Sequence, residues 1–469
     1  MTRATAIELA ADYFDSGKFR ADLARRVAVP TESQDPGNGR VQRRYLAEEV
    51  VPDVERMGFT ARIADNPVSP EHPFLVAHRH EGDGLPTVLT YGHGDVQRAH
   101  GHLWRDGLDP WRLTVEGDRW YGRGSADNKG QHTVNIGALE QVLRARGGTL
   151  GCNVTLLIET GEENGSPGLT EICAALKDEL RADLLLASDG PRLAADLPTL
   201  FLGSRGCANF TLRYTAREGS HHSGNWGGVL RNPATVLANA VASMVDGNGR
   251  LLVEGLRPPE IPASVRAALA KIEVDDSPGS PEIDPDWGEP GLTPSERLFG
   301  WNTLEVLAMV AGNPDGPVNA IPDSARVHAQ LRFVVGTDAA DIVAILRAHL
   351  DAHGFPMVEV TLDHLMAATR LDPDDDWITW ALASLERTTG KAPGLLPNLG
   401  GSLPNEAFAD VLDLPTIWIP HSYAGCSQHA PNEHLLGSLA REALQIMAGL
   451  FWDLGEIGGA TGGEKKTVT

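Results

Sequence analysis

Thr87-Val88-Leu89-Thr90-Tyr91-Gly92-His93-Gly94-Asp95 is a short apolar run that stops at a histidine and an aspartate. Two further runs end in the same way. Residues 154–158 lead into Glu159-Thr160-Gly161-Glu162-Glu163, and residues 184–187 lead into Ser188-Asp189-Gly190. Helical patterns lie between them, over 128–146 and 169–179. This alternation predicts an α/β fold with a mainly parallel sheet. Ligands of open α/β sheets bind beyond the carboxyl ends of the strands. Here three separate strands deliver a His or carboxylates to that edge.

The pattern changes after about residue 206. Residues 207–215, 325–334 and 357–363 read as strands, and 233–246 and 338–353 as helices. Together they suit a small α+β domain. Residues 256–300 are rich in Pro, Gly and acids and read as a long irregular or mobile stretch. The α/β character then returns, with helices at 377–389 and 434–454 around a buried strand at 416–419. The predicted organisation is therefore a catalytic domain in two parts, 1–206 and 372–457, around an inserted domain at 207–371. A Gly-, Thr- and Lys-rich tail at 458–469 is expected to be disordered.

The 469-residue length supports two domains. Forty Lys and Arg against 63 Asp and Glu give a formal charge of -23, which argues against nucleic acid or an anionic membrane as partner. Such acidity serves solubility in general, and a cation site is the natural place for carboxylates with a special task. The four cysteines form no C-x-x-C pair and read as reduced, buried thiols. The first 25 residues carry scattered charges rather than a signal-peptide core, and no run of about 18 apolar residues occurs. A cytoplasmic protein is expected.

Taken singly, the polar residues are ambiguous. His93 and Asp95, two apart in a strand, share a side, and imidazole suits zinc; an ordinary turn would look the same. Asp127, in Gly124-Ser125-Ala126-Asp127-Asn128-Lys129-Gly130, fits a helix N-cap. The Gly-rich approach lacks the G-x-x-x-x-G-K-[ST] spacing of a phosphate loop. Glu162 and Glu163 repel each other unless a cation or proton is shared. One could ligate metal while the other shuttles a proton. Asp189 and His429 are unremarkable alone. His221-His222 lies in the inserted segment, where a role in polarising a carbonyl is open. Taken together, two His and three carboxylates with two further acids make a plausible pair of metal sites bridged by one carboxylate.

These runs resemble the zinc aminoacylase and carnosinase-type metallopeptidases, a family that includes acetylornithine and succinyl-diaminopimelate deacylases. The matching stretches are Gly92-His93-Gly94-Asp95, Asp127-Asn128-Lys129-Gly130, Glu159 through Pro167, Ser188-Asp189-Gly190, His222-Ser223-Gly224, Asn319-Ala320-Ile321-Pro322, Gly400-Gly401-Ser402-Leu403-Pro404, and His429 with Asn432-Glu433. The resemblance implies two divalent ions, zinc with Mn or Co as alternatives. Asp127 would bridge them, with His93 and Asp189 at one and Glu163 and His429 at the other. It implies Glu162 as general base and acid, and Asp95 orienting His93. It implies His222 reaching the active site of a partner subunit, and Arg332, Asn319 and Ser402 contacting substrate. A ferredoxin-like lid carrying a homodimer interface is implied as well.

Glu162-Glu163 followed by Gly165-Ser166-Pro167 resembles the dipeptidase branch most. That branch has Arg-Glu before Gly-Gly-Ser, whereas Asn398-Leu399 stands here. The expected reaction is hydrolysis of a dipeptide or an N-acyl amino acid. A non-peptide amide or a deamination is the alternative, and an inactive binding protein is the alternative of another class.

Overall fold

The 87–95 run forms a strand, Thr87–His93, buried from Val88 to the terminal histidine. Its neighbour Asn153–Glu159 is buried at every position. Continuous apolar runs of this kind suit strands covered on both faces. The computed structural model describes residues 2–274 and 282–459. Contacts divide the chain into two units. The first holds the residues up to Leu202, Leu371–Leu396 and those from Pro404 on; the second holds Gly203–Arg370 and Pro397–Leu403.

The first unit contains an eight-stranded sheet. Its order is Thr60–Ala64, Phe74–Arg79, Asn153–Glu159, Thr87–His93, Leu184–Ala187, Thr416–Trp418, Thr199–Phe201 and Gly394–Leu396. The central pairings are parallel, and antiparallel pairings enter on both flanks. Helices Arg3–Asp15, Lys129–Ala145 and Gly437–Gly459 pack on one another. They share a core with the sheet through residues such as Ala10, Leu139, Leu156, Leu444 and Phe451. The order explains the site. His93 lies opposite Glu159 in parallel register, so both strands end at the same edge. The Leu184–Ala187 strand flanks Thr87–His93 on its other side and brings Asp189 to that edge.

The second unit is built as strand, helix, strand, strand, helix, strand. Its strands are Gly206–Thr215, Thr303–Ala311, Ser324–Phe333 and Glu359–Met366, and its helices Pro233–Met244 and Ile342–Ala352. All pairings are antiparallel, and the first strand lies between the third and the fourth. This is the ferredoxin-like arrangement. Strand Ser324–Phe333 alternates, burying Val327, Ala329, Leu331 and Phe333 with Leu237, Leu346 and Leu350 of the helices.

Two expectations change. The 256–300 stretch is not wholly irregular: it holds helices Ala263–Leu269 and Pro294–Phe299. Pro294 enters at the first turn, and Thr293 and Glu296 form a capping box, so local signals outweigh the breaker-rich composition. Residues 275–281 of that stretch lie outside the described residues. The last helix continues through Gly459, and the remainder of the tail, 460–469, also lies outside them. Among the described residues no helix is long and apolar enough to cross a membrane.

Candidate metal centre

Strand ends and one tight loop supply the donors. His93 closes its strand and is fully buried. Asp127 precedes the buried helix Lys129–Ala145, and the Asp127–Asn128 peptide bond is cis. Gly130 is required there, because a Cβ would lie 1.9 Å from the Ser125 carbonyl oxygen. Glu162 and Glu163 form the turn after Asn153–Glu159.

Two groups of three donors result: His93, Asp127 and Asp189, and Asp127, Glu163 and His429. Within each group one ligand atom per residue lies within 4.8 Å of the others. Asp127 belongs to both. Its Oδ1 is 3.0 Å from His93 Nε2, and its Oδ2 is 2.9 Å from His429 Nε2. His93 Nε2 is 3.7 Å from Asp189 Oδ2 and 3.9 Å from Glu162 Oε2. His429 Nε2 is 3.1 Å from Glu163 Oε2.

A second layer of hydrogen bonds fixes these side chains. The Asp95 backbone carbonyl lies 3.1 Å from His93 Nδ1 and its carboxylate 3.4 Å from the same atom, while the two carboxylate oxygens accept the backbone N–H groups of Glu162 and Glu163. One residue thus meets the imidazole and sets the turn that carries both glutamates. Gln97 donates to Glu163 Oε2, and Gln428 donates to Asp127 Oδ2 at 2.6 Å. Glu433 accepts from the N–H groups of Gly124, Ala126 and Asp127 and from Arg123 Nη1. It clamps the loop that presents Asp127.

Electrostatics separate the carboxylates. Burial pushes Glu163 up to about 7, with help from the Asp127 charge, although His429 opposes it. Burial likewise pushes Asp189 up to about 6, again with Asp127 adding. Burial raises Glu162 well above its ordinary range; His93 opposes this while Asp189, Glu163 and Asp127 add to it. Asp127 goes the other way. Burial favours its neutral form, but hydrogen bonds from His429 and His93 outweigh burial and lower it. Burial disfavours the His429 cation, yet bonds to Asp127 and Glu163 push it up to about 11.

The donor set fits two divalent cations. Each group offers one imidazole and two carboxylates, a mixture suited to zinc and its neighbours. Asp189 Oδ2 is buried and has no hydrogen-bond partner among the described residues, which leaves it available to a cation.

The other expected residues lie in the second unit. Arg332 Nη1 donates to Ser402 Oγ at 2.8 Å, so these two meet. His222 and Asn319 are exposed neighbours: His222 pairs with Ala320, and the Asn319 carbonyl accepts from the Ser223 N–H. Asn398 is fully buried and donates to the Phe299 carbonyl at 2.9 Å. An amide stands there because it holds the end of the Pro294–Phe299 helix.

The model of peptidase family M20/M25/M40 matches residues 89–453. The chain belongs to this family. It is a metallopeptidase with a dinuclear metal-binding group. It is 32% identical to the Beta-Ala-His dipeptidase of Rattus norvegicus, over 94% of this chain and 89% of that protein. It is 26% identical to the cysteinylglycine-S-conjugate dipeptidase of Corynebacterium striatum, over 76% of this chain and 78% of that protein. The M20 family metallo-carboxypeptidase of Sulfolobus solfataricus shares its fold. The TM-score is 0.80 at 23% identity, over 94% of this chain and 99% of that one. The carnosinase-type resemblance, the α/β fold with an insertion and the metallopeptidase reading all stand with these matches.

Four supporting residues of the peptidase escaped the sequence reading: Gln97, Gln428, Arg123 and the role of Glu433. Gln97 and Gln428 carry no pattern of their own. Glu433 lies more than 300 residues from the loop it clamps. Its one signal was its place four residues after His429, just before the last helix.

Proposed function

We propose that the chain is a zinc-dependent dipeptidase with two metal ions, hydrolysing an amide bond beside a free carboxylate. The observation that carries this reading is the pair of donor groups sharing Asp127, with the Glu162 carboxylate 3.9 Å from His93. His93, Asp127 and Asp189 would hold one ion, and Asp127, Glu163 and His429 the other. Bound divalent ions polarise the scissile carbonyl and make water more acidic. Glu162 takes the proton of the attacking water and hands it to the leaving amine, a role suited to a carboxylate whose proton affinity burial has raised. Asp95 keeps His93 in one orientation. Arg332 and Ser402 receive the substrate carboxylate, because Arg can bind it in two-pronged fashion. Asn319 of this chain and His222 of the partner subunit stabilise the developing oxyanion.

Support for a homodimer comes from strand Thr303–Ala311 at the edge of its sheet. Val306, Leu307, Met309 and Val310 on it are 40–58% exposed. An exposed apolar edge strand invites pairing with a second copy. The four free, buried cysteines fit a reducing cytoplasm.

The test is hydrolysis of dipeptides, N-acyl amino acids and aromatic amides by zinc- or manganese-loaded enzyme, with Glu162→Gln as control. Cleavage of dipeptides that vanishes in the control supports the reading. Cleavage of aromatic amides alone refutes it.

A further inference from the structure

Helices cover one face of the four-stranded sheet in the second unit, and the other face holds a hollow of about 600 Å³. That volume is within the range of small-molecule sites. The floor of the hollow is a block of four residues on two adjacent strands. Thr211 lies opposite His328, and Arg213 lies opposite Arg326. Residues two apart in a strand share a face, so all four side chains stand on the open one. Segments leading out of the sheet supply the walls, with Ser220 from one and Val318 from another. Arg332 and Ser402 are not among the lining residues.

The two arginines are placed against ordinary electrostatics. Like charges directly opposite each other across antiparallel strands are destabilising. Both side chains are exposed, and neither makes an ion pair or a side-chain hydrogen bond among the described residues. Glu359 lies across from Arg213 on its other side, yet no ion pair joins them. The chain carries 63 Asp and Glu against 40 Lys and Arg, so carboxylates to pair with these arginines are not scarce. Asp323, the one acid of the lining, accepts from Ser324 Oγ at 3.2 Å. His328 is held over the same hollow. Thr211 Oγ1 gives its single proton to Asp363 Oδ2 at 2.6 Å, so it must accept from His328 Nδ1 at 2.9 Å. That puts a proton on Nδ1 and leaves Nε2 without a partner among the described residues.

We propose that this hollow binds a phosphate group, held between the Arg213 and Arg326 guanidinium groups with His328 Nε2 on a third oxygen. Two rigid forks of N–H donors match the three oxygens and the charge of about -1.5 to -2 of a phosphate group, whereas a carboxylate, with two oxygens and one charge, is satisfied by one fork. A neutral Nε2 accepts the proton of a monoanionic phosphate, and a protonated one donates to a dianion, so this nitrogen is satisfied in either form. Val310, Ala311 and Val318 form an apolar wall for the body of a phosphate ester. The site lies wholly within the second unit and stands whether or not the dipeptidase reading does.

The experiment is calorimetric titration of the metal-loaded full chain, in its own oligomeric state, with inorganic phosphate, phenyl phosphate and benzoate at low salt. Wild type should bind phenyl phosphate with a dissociation constant below about 1 mM, and added salt should weaken it. Arg213→Gln and Arg326→Gln should each weaken binding about 10- to 100-fold, the worth of hydrogen bonds to a charged group. Arg332→Ala should leave it unchanged. Both substituted arginines are exposed, so these variants fold, and an unchanged urea midpoint verifies it. Inorganic phosphate binding as tightly as phenyl phosphate assigns the free ion, and tighter binding of the ester assigns an organic phosphate; either upholds the site. Benzoate binding as tightly as phenyl phosphate overturns the phosphate assignment. Phenyl phosphate that binds unweakened in either glutamine variant overturns the site, because the anion then sits elsewhere, as at the metal ions. Absence of binding to wild type overturns it as well.

Discussion

Replacing Glu433 by Gln tests whether the Asp127 loop is held by one buried carboxylate. Glu433 is fully buried and accepts four hydrogen bonds, two on each oxygen. Oε2 takes Arg123 Nη1 at 2.7 Å and the Gly124 N–H at 3.0 Å. Oε1 takes the Ala126 and Asp127 N–H groups at 2.9 and 3.0 Å. A glutamine amide keeps one oxygen and turns the other position into a donor. Whichever way it faces, two existing donors meet a third. Hydrogen bonds to a charged group contribute about 1.5–3 kcal/mol each, so losing two costs about 3–6 kcal/mol. Arg123, 1% exposed, also loses its counter-ion. That places the substitution in the tail of single-mutant effects. Because the loop presents the carboxylate common to both donor groups, metal affinity should fall about 10- to 100-fold as well. Urea unfolding of the apo-protein and calorimetric metal titration measure the two effects. A loss of less than about 1 kcal/mol with unaltered metal affinity would refute the clamp.

Glu162→Gln should lower kcat by about 10²- to 10⁴-fold while elemental analysis still finds two bound metals, since its task is proton transfer. Chelation followed by zinc or manganese replenishment should abolish and restore activity; activity that survives metal-free dialysis would sink the mechanism. Asp53 accepts from Arg26, Arg25 and Arg56. Burial raises its pKa, but Arg26 and the other two arginines outweigh burial and hold it below the usual carboxylate range. A depressed folded pKa contributes stability that is full above the unfolded value of about 3.9 and is lost as pH falls through the folded one. Asp53→Asn should cost about 3–5 kcal/mol at neutral pH, leaving Arg26 buried without a counter-charge, and should flatten the acid limb of the stability curve. Equal acid sensitivity in both proteins would contradict this. Burial pushes Cys152, Cys173 and Cys426 up to about 12, so these three thiols should not react with a thiol reagent at pH 8 until the protein is denatured, as peptide mapping of the labelled protein would show.

The strand ends were legible because the apolar runs at 87–91, 154–158 and 184–187 are short, continuous and each followed at once by donors. The alternation at 325–334 was legible for a related reason: one face of Ser324–Phe333 is buried and the other is not. The helices within 256–300 were hidden because composition averages over a window, whereas a capping box acts through two residues, Thr293 and Glu296. Gln97, Gln428 and Glu433 were hidden because each acts through backbone or side chains distant in sequence.

Geometry also separates the roles of three carboxylates that the sequence presents alike. Asp127, Glu163 and Asp189 are all acids at loop starts. Only Asp127 turns its two oxygens to different imidazoles, Oδ1 to His93 and Oδ2 to His429. Glu163 meets His429 and Gln97, whereas Asp189 receives the Gly190 N–H on Oδ1 and keeps Oδ2 unshared. Burial raises the proton affinity of both Glu163 and Asp189, and the Asp127 charge adds to each rise. Asp127 itself is held ionised by its two histidines against the same burial. A carboxylate shared between two cations must turn one oxygen to each, and among the three only Asp127 does so toward two imidazoles, with Gln428 steadying Oδ2. Asp127→Asn should therefore impair binding of both ions together, whereas Asp189→Asn and Glu163→Gln should each impair one. Metal stoichiometry read by titration distinguishes these outcomes, and loss of a single ion in Asp127→Asn would show that it does not bridge.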